Sequence, residues 1–186
     1  TTLAACLARE VGATFLPYSA VRVGVKEIKG VLEESAKMRR LGNRAPVLFL
    51  DEIHRFNKAQ QDALLPAVEH GDVVLIGATT ENPSFEVNAA LLSRCRVVVL
   101  EALGPEALVT VMRRALDRDA SLASVEADDE ALERIATRCG GDARFALGSL
   151  ELAARDAGRT DERITVDLAD RVLREAHLVH DKAGEE

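Results

Sequence analysis

The sequence has no surplus of basic residues. Its 24 lysines and arginines are outnumbered by 31 aspartates and glutamates, which gives a formal net charge of −7. Broad nonspecific binding to nucleic acid needs an excess of lysine and arginine on one face, because the partner is a dense row of phosphates. The charge balance argues against that class of protein, although it leaves room for a local basic patch.

Long apolar runs and paired cysteines are missing as well. No apolar run approaches the ~18 residues of a membrane-spanning helix, and no secretory signal is visible. The three cysteines, Cys6, Cys95 and Cys139, are odd in number and lack metal-type spacing, so we interpret them as buried or idle thiols of a reducing cytosol. What is present is a globular balance of 47% hydrophobic and 30% charged residues, and 186 residues suffice for one or two domains.

Helical and strand-like segments alternate through residues 1–103. Apolar residues at helical spacing begin at Leu3 and at Val25, and a third helix is predicted from an N-cap at Asn57 to Gly71, with a kink at Pro66. A short apolar run that ends in Pro17 predicts a strand within residues 13–20, and continuous apolar stretches predict buried strands within residues 46–52, 73–80 and 96–101. This alternation predicts an α/β domain with a mainly parallel sheet.

After Leu103 the pattern becomes helical throughout. Four segments with acidic or proline starts and apolar residues at helical spacing predict that residues 104–176 form a separate all-helical unit. Residues 177–186 look like a frayed tail or linker. His177 and His180 are three residues apart, but no third metal ligand lies nearby, so we interpret them as ordinary helix-end residues.

Two adjacent acids, Asp51 and Glu52, follow the strand in "PVLFLDE". Open α/β sheets bind their ligands at the carboxyl ends of their strands. In nucleotide hydrolases the first acid at such a position helps to hold Mg²⁺ on the phosphates, and a second acid can act as a base towards the attacking water. The alternative is a pair of surface acids at a strand exit, since short motifs often arise by chance.

Three further residues stand where a phosphate site would use them. Thr79 ends the next predicted strand, so its hydroxyl can orient the same water; taken alone, it is a strand-end cap. Arg94 precedes the following predicted strand, where its planar fork can reach a phosphate of a neighbouring subunit; taken alone, it is a solvated surface residue. Arg144, in the first turn of a predicted helix, can contact phosphate or form a weak surface ion pair with Asp142 or Glu151.

The order and spacing of these residues resemble an AAA+ ATPase module. Asp51 and Glu52 correspond to its Walker B element, and Thr79, Arg94 and Arg144 to sensor 1, the arginine finger and sensor 2. The finer resemblance is to the clamp-loader-like replication-associated recombination protein A family (RarA, also called MgsA), and it rests on "SAVRVGVKEIK", "DEIHRFNKAQQDALLPAVEHG" and "IGATTENPSFEVNAALLSRCRV". The Holliday-junction motor RuvB shares "DEIHR" and "LIGATT" and is the more distant alternative.

The resemblance implies that the chain is an internal fragment that starts inside the Walker A element. In the family, a glycine-rich loop ending in Gly-Lys precedes "TTLA", so Thr1 corresponds to the hydroxyl that ligates Mg²⁺ together with Asp51, and Thr2 follows it in the nucleotide site. We therefore expect residues 1–103 to be a partial P-loop domain whose parallel sheet lacks its first, central strand. Residues 104–176 would be its helical lid, with an oligomerisation region beyond. Such an isolated chain is expected to fold poorly in its first domain and to bind ATP very weakly.

The function implied by the resemblance is Mg²⁺-dependent ATP hydrolysis at stalled replication or recombination intermediates, in the cytoplasm and associated with the nucleoid. Glu52 would activate water, Thr79 would orient it, Arg144 would sense phosphate in cis, and Arg94 would act in trans within a homotetramer. The alternative is a non-catalytic, clamp-loader-type structural subunit without a working phosphate loop. Retention of Glu52, Thr79 and Arg144 argues against that alternative.

The implied partners are a second copy of the chain, DNA with single-strand/double-strand junctions, and fork proteins such as single-strand-binding protein. The segment "KMRRLGNR" supplies a possible DNA-facing patch of Lys37, Arg39, Arg40 and Arg44. The alternative is a solvated helix end, because basic residues are also favourable at helix C-termini.

Overall fold

The computed structural model describes residues 1–122, 125–160 and 163–183, and every side chain within them except those of residues 160 and 177–183. The chain divides into two compact units, Thr1–Val99 and a second that begins at Leu100, close to the boundary expected after residue 103. The backbone of the predicted tail is helical as far as Ala183, while the side chains of His177 and His180 lie outside the described set.

The first unit alternates helices and strands. Its elements in chain order are α1 (Thr2–Glu10), β1 (Phe15–Ser19), α2 (Val25–Arg40), β2 (Val47–Asp51), a 3₁₀ turn (Ile53–Arg55), α3 (Lys58–Asp62), α4 (Leu65–Glu69), β3 (Val74–Gly77), α5 (Pro83–Glu86) and α6 (Ala89–Leu92). The core between the helices and the sheet contains Ile28, Leu32, Leu48, Leu50, Ile53, Phe56, Leu64 and Leu91.

The three strands form one parallel sheet in the order β1–β2–β3. The central strand β2 is buried from Val47 to Leu50, which explains why its sequence is an uninterrupted apolar run. Ser19 pairs with Asp51, and Leu50 pairs with Gly77, so the carboxyl ends of all three strands meet at one edge. The predicted parallel α/β sheet is therefore confirmed.

Residues 96–101 form no strand, which corrects the prediction of a fourth buried strand. Val98 and Val99 are 70% and 82% exposed. A strand is stabilised by ladder hydrogen bonds to a neighbour, and β3 pairs with β2 alone among the described residues. An apolar, β-branched sequence shows that a segment suits a sheet, but it does not supply the partner strand.

The single kinked helix predicted over residues 57–71 is two short helices. Asn57 caps α3 as predicted, in a capping box with Gln60. Proline has no N–H to donate and crowds the preceding turn, so Pro66 is found in the first turn of α4, where the missing donor costs nothing. The break between α3 and α4 thus replaces the expected kink.

The second unit is helical, as the sequence predicts. Its elements are α7 (Pro105–Arg118), α8 (Asp129–Arg138), α9 (Ala143–Thr160) and α10 (Val166–Ala183). Their buried faces form one core that includes Leu108, Met112, Leu132, Ile135, Leu150, Ile164, Val172 and Leu173. A backbone bridge between Ala127 and Ile164 joins the segments that lead into α8 and α10.

The turn between α8 and α9 requires glycine. Gly141 has φ +89°, a conformation that L side chains rarely adopt, and a Cβ there would lie 2.7 Å from the Ala102 Cβ. The turn therefore tolerates no side chain at this position. Within the described ranges, no helix combines the length and apolar character that crossing a membrane requires.

Candidate nucleotide and hydrolysis site

Main-chain hydrogen bonds hold the carboxyl ends of β2 and β3 together. The Ala78 N–H donates to the Leu50 carbonyl over 2.9 Å, and the Ile53 N–H donates to the Ala78 carbonyl over 3.0 Å. The Asp51 carbonyl accepts from the Ala20 N–H over 2.9 Å. The two acids thus leave β2 at the edge where parallel sheets bind ligands.

Glu52 adopts a left-handed backbone conformation, with φ 55° and ψ 43°. It is the one non-glycine residue with positive φ in the described part of the chain. For a residue with a Cβ this conformation costs roughly 1–2 kcal/mol, so it persists only where the surrounding structure imposes it. The tight turn passes directly from β2 into the 3₁₀ turn that contains His54.

The side chain of His54 contacts both Glu52 and Thr79. Its Nε2 lies 3.2 Å from Glu52 Oε2, and its Nδ1 forms a 2.9 Å hydrogen bond with Thr79 Oγ1. The imidazole is only 9% exposed, whereas the Glu52 side chain is 33% exposed. Glu52, the predicted base, and Thr79, the predicted water-orienting hydroxyl, therefore contact the same histidine side chain.

Thr79 also has the local capping role that was its alternative interpretation. Its Oγ1 accepts a 3.0 Å hydrogen bond from the Glu81 N–H, which closes a turn after β3. The two interpretations are compatible, because a hydroxyl oxygen has two lone pairs and one proton.

An open groove of about 370 Å³ lies at the ends of β1 and β2. Thr1 and Asp51, the two predicted metal ligands, both line it, together with Pro17, Tyr18, Ser19, Arg22, Val23, Glu27 and Phe49. A threonine hydroxyl and a carboxylate are oxygen donors, the ligand type that Mg²⁺ prefers, and Mg²⁺ commonly takes only one or two such protein ligands besides water and phosphate oxygens. The residues present therefore fit that ion. Thr2, the first residue of α1, is exposed and is not among the lining residues.

Arg94 is tethered within its own chain. Its guanidinium forms an ion pair with Glu69, and its Nη1 donates to the Ala90 carbonyl over 2.7 Å and to Ser93 Oγ over 3.1 Å. Both charged side chains are about two fifths exposed, at 40% and 43%, and exposed pairs of this kind contribute about 0–1 kcal/mol. Arg94 is thus accessible and only weakly held.

Arg144 lies in the second unit, at the start of α9 as predicted. The ion pair with Asp142 is not formed, because the Asp142 carboxylate caps the helix by accepting from the Arg144 and Phe145 N–H groups over 2.7 and 3.0 Å. The exposed Arg144 guanidinium has no hydrogen bond or ion pair with any described residue. Its charge is therefore available to a ligand.

The four basic residues of the predicted patch are all exposed. Two of them have local partners: Lys37 lies 3.7 Å from Glu34, and Arg39 donates to the Asn43 carbonyl over 2.9 Å at the end of α2. The helix-end interpretation thus accounts for these two, and Arg40 and Arg44 are the members to test for binding.

The cysteines have no role at this site. All three are free, with Cys6 and Cys95 exposed and Cys139 buried in the second unit. Burial, with a smaller contribution from Asp142, raises the pKa of Cys139 to about 11, so its thiol stays protonated and unreactive near neutral pH. The Cys95 thiol is partly desolvated although the residue as a whole is exposed, and this desolvation raises its pKa. No group of three or more potential metal-ligating side chains occurs in the described residues.

Sequence reasoning missed His54 and Gln61. His54 stands inside "DEIHR", but its contact with Thr79 spans 25 residues and is invisible to local spacing. Gln61 is 1% exposed and donates to the Phe56 and Glu86 carbonyls over 2.9 Å each, while its Oε1 accepts from the Asn88 N–H. A glutamine at a core-facing position of α3 was the available signal, since a buried amide needs partners.

Two family models match the chain. The ATPase family associated with various cellular activities (AAA) matches residues 1–102, and the AAA C-terminal domain matches residues 121–186. Replication-associated recombination protein A of Escherichia coli strain K12 is 45% identical over 188 residues, which is 100% of this chain and 40% of that protein. The protein of the same name from Haemophilus influenzae is 43% identical over 190 residues, 100% of this chain and 42% of the relative. The chain thus spans about two fifths of the length of the curated relatives it matches.

A solved structure shares the fold. The Thermotoga maritima RuvB Holliday junction branch migration motor superposes with a TM-score of 0.76 at 30% identity, over 93% of this chain and 56% of that one. These similarities confirm both the resemblance to replication-associated recombination protein A and the partial AAA+ fold followed by a helical domain.

Proposed function

The chain belongs to the ATPase family associated with various cellular activities (AAA), and on that premise we propose that it forms the hydrolysis edge and helical lid of an ATPase that acts in DNA replication and recombination. The main support for the proposal is the side-chain cluster at the ends of β2 and β3. There Glu52 and Thr79 both contact His54, and Asp51 directly precedes Glu52 in the chain.

The groove beside β1 and β2 is the proposed place for the phosphate end of Mg²⁺-ATP. Thr1 and Asp51 offer oxygen ligands on its wall. Thr1 and Asp51 would hold Mg²⁺ there, and the ion would supply positive charge that neutralises the charge developing on the phosphate oxygens. Thr2 is assigned to the nucleotide site by resemblance alone.

Glu52 is the proposed base. Its carboxylate is one third exposed and therefore reachable by water, and a base positioned next to the attacking water typically contributes 10²–10⁴ in rate. The Thr79 hydroxyl has one lone pair left after its bond to the Glu81 N–H and its contact with His54. That lone pair is proposed to accept a hydrogen bond from the same water and so to orient it.

Arg94 and Arg144 are the proposed phosphate contacts from outside the strand ends. Arg94 would reach the nucleotide of a neighbouring subunit once it leaves Glu69, because arginine forks suit phosphate oxygens. Such a role needs an oligomer, and the resemblance implies a homotetramer. Arg144 is the proposed sensor of phosphate in cis, and its guanidinium, which has no partner among the described residues, supports this role.

The names of the relatives support a setting in DNA replication and recombination. We propose DNA with single-strand/double-strand junctions as the partner, with a contribution from Arg40 and Arg44, and contact with fork proteins such as single-strand-binding protein. A cytoplasmic, nucleoid-associated location fits this role and the names of the bacterial relatives.

The test is Glu52→Gln in the full-length protein that contains this sequence. The amide keeps the shape and polarity of the side chain but cannot take the proton of water. We expect steady-state ATP hydrolysis to fall ~10²–10⁴-fold while ATP affinity, measured by calorimetric titration, is retained. The matched control is Glu33→Gln, the same change at an exposed position of α2.

Near-normal turnover in Glu52→Gln would contradict the assignment of the base. A wild-type protein that assembles but shows no hydrolysis, with or without DNA, would instead favour the structural subunit that lacks catalysis.

A further inference from the structure

We propose that His54 is a positioning residue that sets the base and the water-orienting hydroxyl in one arrangement; this inference rests on the proposed function. The imidazole is 9% exposed and contacts Glu52 with one ring nitrogen and Thr79 with the other. Because an aromatic ring is rigid, moving either partner displaces the other. His54 therefore couples two residues that come from different strands.

The backbone holds the ring at this place. His54 follows Glu52, whose left-handed conformation reverses the chain at the end of β2. The intervening Ile53 donates its N–H to the Ala78 carbonyl, and its side chain packs so closely on Gly77 that a Cβ at residue 77 would lie 3.0 Å from the Ile53 Cδ1. The turn is thus attached to the end of β3 through Ile53, the residue immediately before the histidine.

The chemistry of the two partners fixes where the protons of a neutral His54 lie. The Glu52 carboxylate can only accept, so the nitrogen that faces it, Nε2, carries the proton. Nδ1 is then the acceptor, and the 2.9 Å hydrogen bond to Thr79 uses the single proton of the Thr79 hydroxyl.

This assignment determines whether the Thr79 hydroxyl donates a hydrogen bond to a water molecule or accepts one from it. Its proton is used by His54 and one lone pair accepts from the Glu81 N–H, so one lone pair remains. Thr79 then accepts a proton of the water and leaves an oxygen lone pair of that water free to attack. The same histidine that restrains Glu52 thereby fixes the hydroxyl in the accepting orientation.

The experiment measures kcat, the affinity for ATP and the melting temperature of His54→Ala, His54→Asn and His54→Gln in the full-length protein. The asparagine amide can occupy the position of Nδ1 and keep the contact with Thr79, whereas the glutamine amide reaches the position of Nε2 and keeps the contact with Glu52. We expect His54→Ala to lose about 10–100-fold in kcat, the range typical of hydrogen-bond partners that orient metal ligands, with unchanged ATP affinity. The two amide variants should recover part of the loss. His70→Ala, the same truncation at an exposed histidine, is the matched control.

A double-mutant cycle distinguishes positioning from a general structural effect. If His54 acts through Glu52, then His54→Ala lowers the residual rate of Glu52→Gln by far less than it lowers the wild-type rate, because coupled residues are not additive.

Three results would overturn the inference: wild-type kcat in His54→Ala, a full additive loss in the Glu52→Gln background, or a parallel loss of ATP affinity and stability in all three His54 variants. Normal turnover in Glu52→Gln alone would instead overturn the proposed function, so the two failures are distinguishable.

Discussion

Arg94 is a single residue whose role, if it acts in trans, depends on a second subunit. Arg94→Ala removes the proposed arginine finger, a group that typically increases the rate of phosphoryl transfer ~10³–10⁵-fold. The change leaves Thr1, Asp51 and Glu52 in place. We expect ATP hydrolysis to collapse and ATP affinity to persist. Turnover and calorimetric titration of the full-length protein check this, with Arg96→Ala as the control at a neighbouring exposed arginine.

Mixing Arg94→Ala with Glu52→Gln tests the geometry of the shared site. In mixed oligomers some interfaces pair an intact Glu52 with an intact Arg94, so activity should rise above that of either variant alone. Proven co-assembly without any such rise would rule out a role in trans. It would leave Arg94 as the local partner of Glu69 that the structure records.

The sequence predicted that Asp51, Glu52 and Thr79 lie near one edge of the sheet but not the side-chain contacts that connect Glu52 and Thr79. Asp51, Glu52 and Thr79 follow apolar runs, and parallel strands must end at a common edge, so local pattern sufficed. His54 was missed because its role depends on the left-handed turn at Glu52 and on a contact across 25 residues. Neither feature leaves a periodic signal in the sequence.

At the scale of elements, the start of α9 depends on one carboxylate. Asp142 accepts from the Arg144 and Phe145 N–H groups, and an N-cap of this kind is worth about 0.5–2 kcal/mol. We expect Asp142→Ala to lower the melting temperature of the helical unit by a few degrees, whereas Asp142→Asn, which keeps an accepting oxygen, should lie close to wild type. Equal stability of the alanine and asparagine variants, measured by thermal denaturation, would show that the cap contributes nothing.

A second prediction at the scale of elements concerns DNA binding by the basic C-terminal end of α2. If Arg40 and Arg44 contact DNA phosphates, replacing both with alanine should remove about two phosphate contacts. The slope of log K against log salt concentration should then become shallower by ~0.9 for each lost contact. Affinity for a junction substrate measured at several salt concentrations checks this, and Arg155→Ala, an exposed arginine of α9, is the control. An unchanged slope would leave the patch as a solvated helix end.

Helix and strand existence was easier to predict than helix and strand extent. The segment at 57–71 was correctly identified as helical, but it is broken before Leu65, so that Pro66 lies in the first turn of α4. The apolar run at 96–101 suits a strand, yet strands form in pairs, and pairing is a property of the neighbours and not of the segment. Propensity therefore predicted the type of the elements that formed, whereas tertiary context decided their limits and whether residues 96–101 formed a strand at all.

At the scale of the whole molecule, the common edge of the sheet is the proposed site of ATP hydrolysis. The most direct measurement is an experimental structure of full-length Glu52→Gln bound to Mg²⁺-ATP. We expect the γ-phosphate at the carboxyl ends of the three strands, beside the groove that Thr1 and Asp51 line. Thr1 and Asp51 should be the nearest protein groups to the metal, and Thr79 should lie within hydrogen-bonding distance of a water in line with the scissile bond. A nucleotide bound away from these strand ends, or a metal that neither Thr1 nor Asp51 approaches, would contradict it.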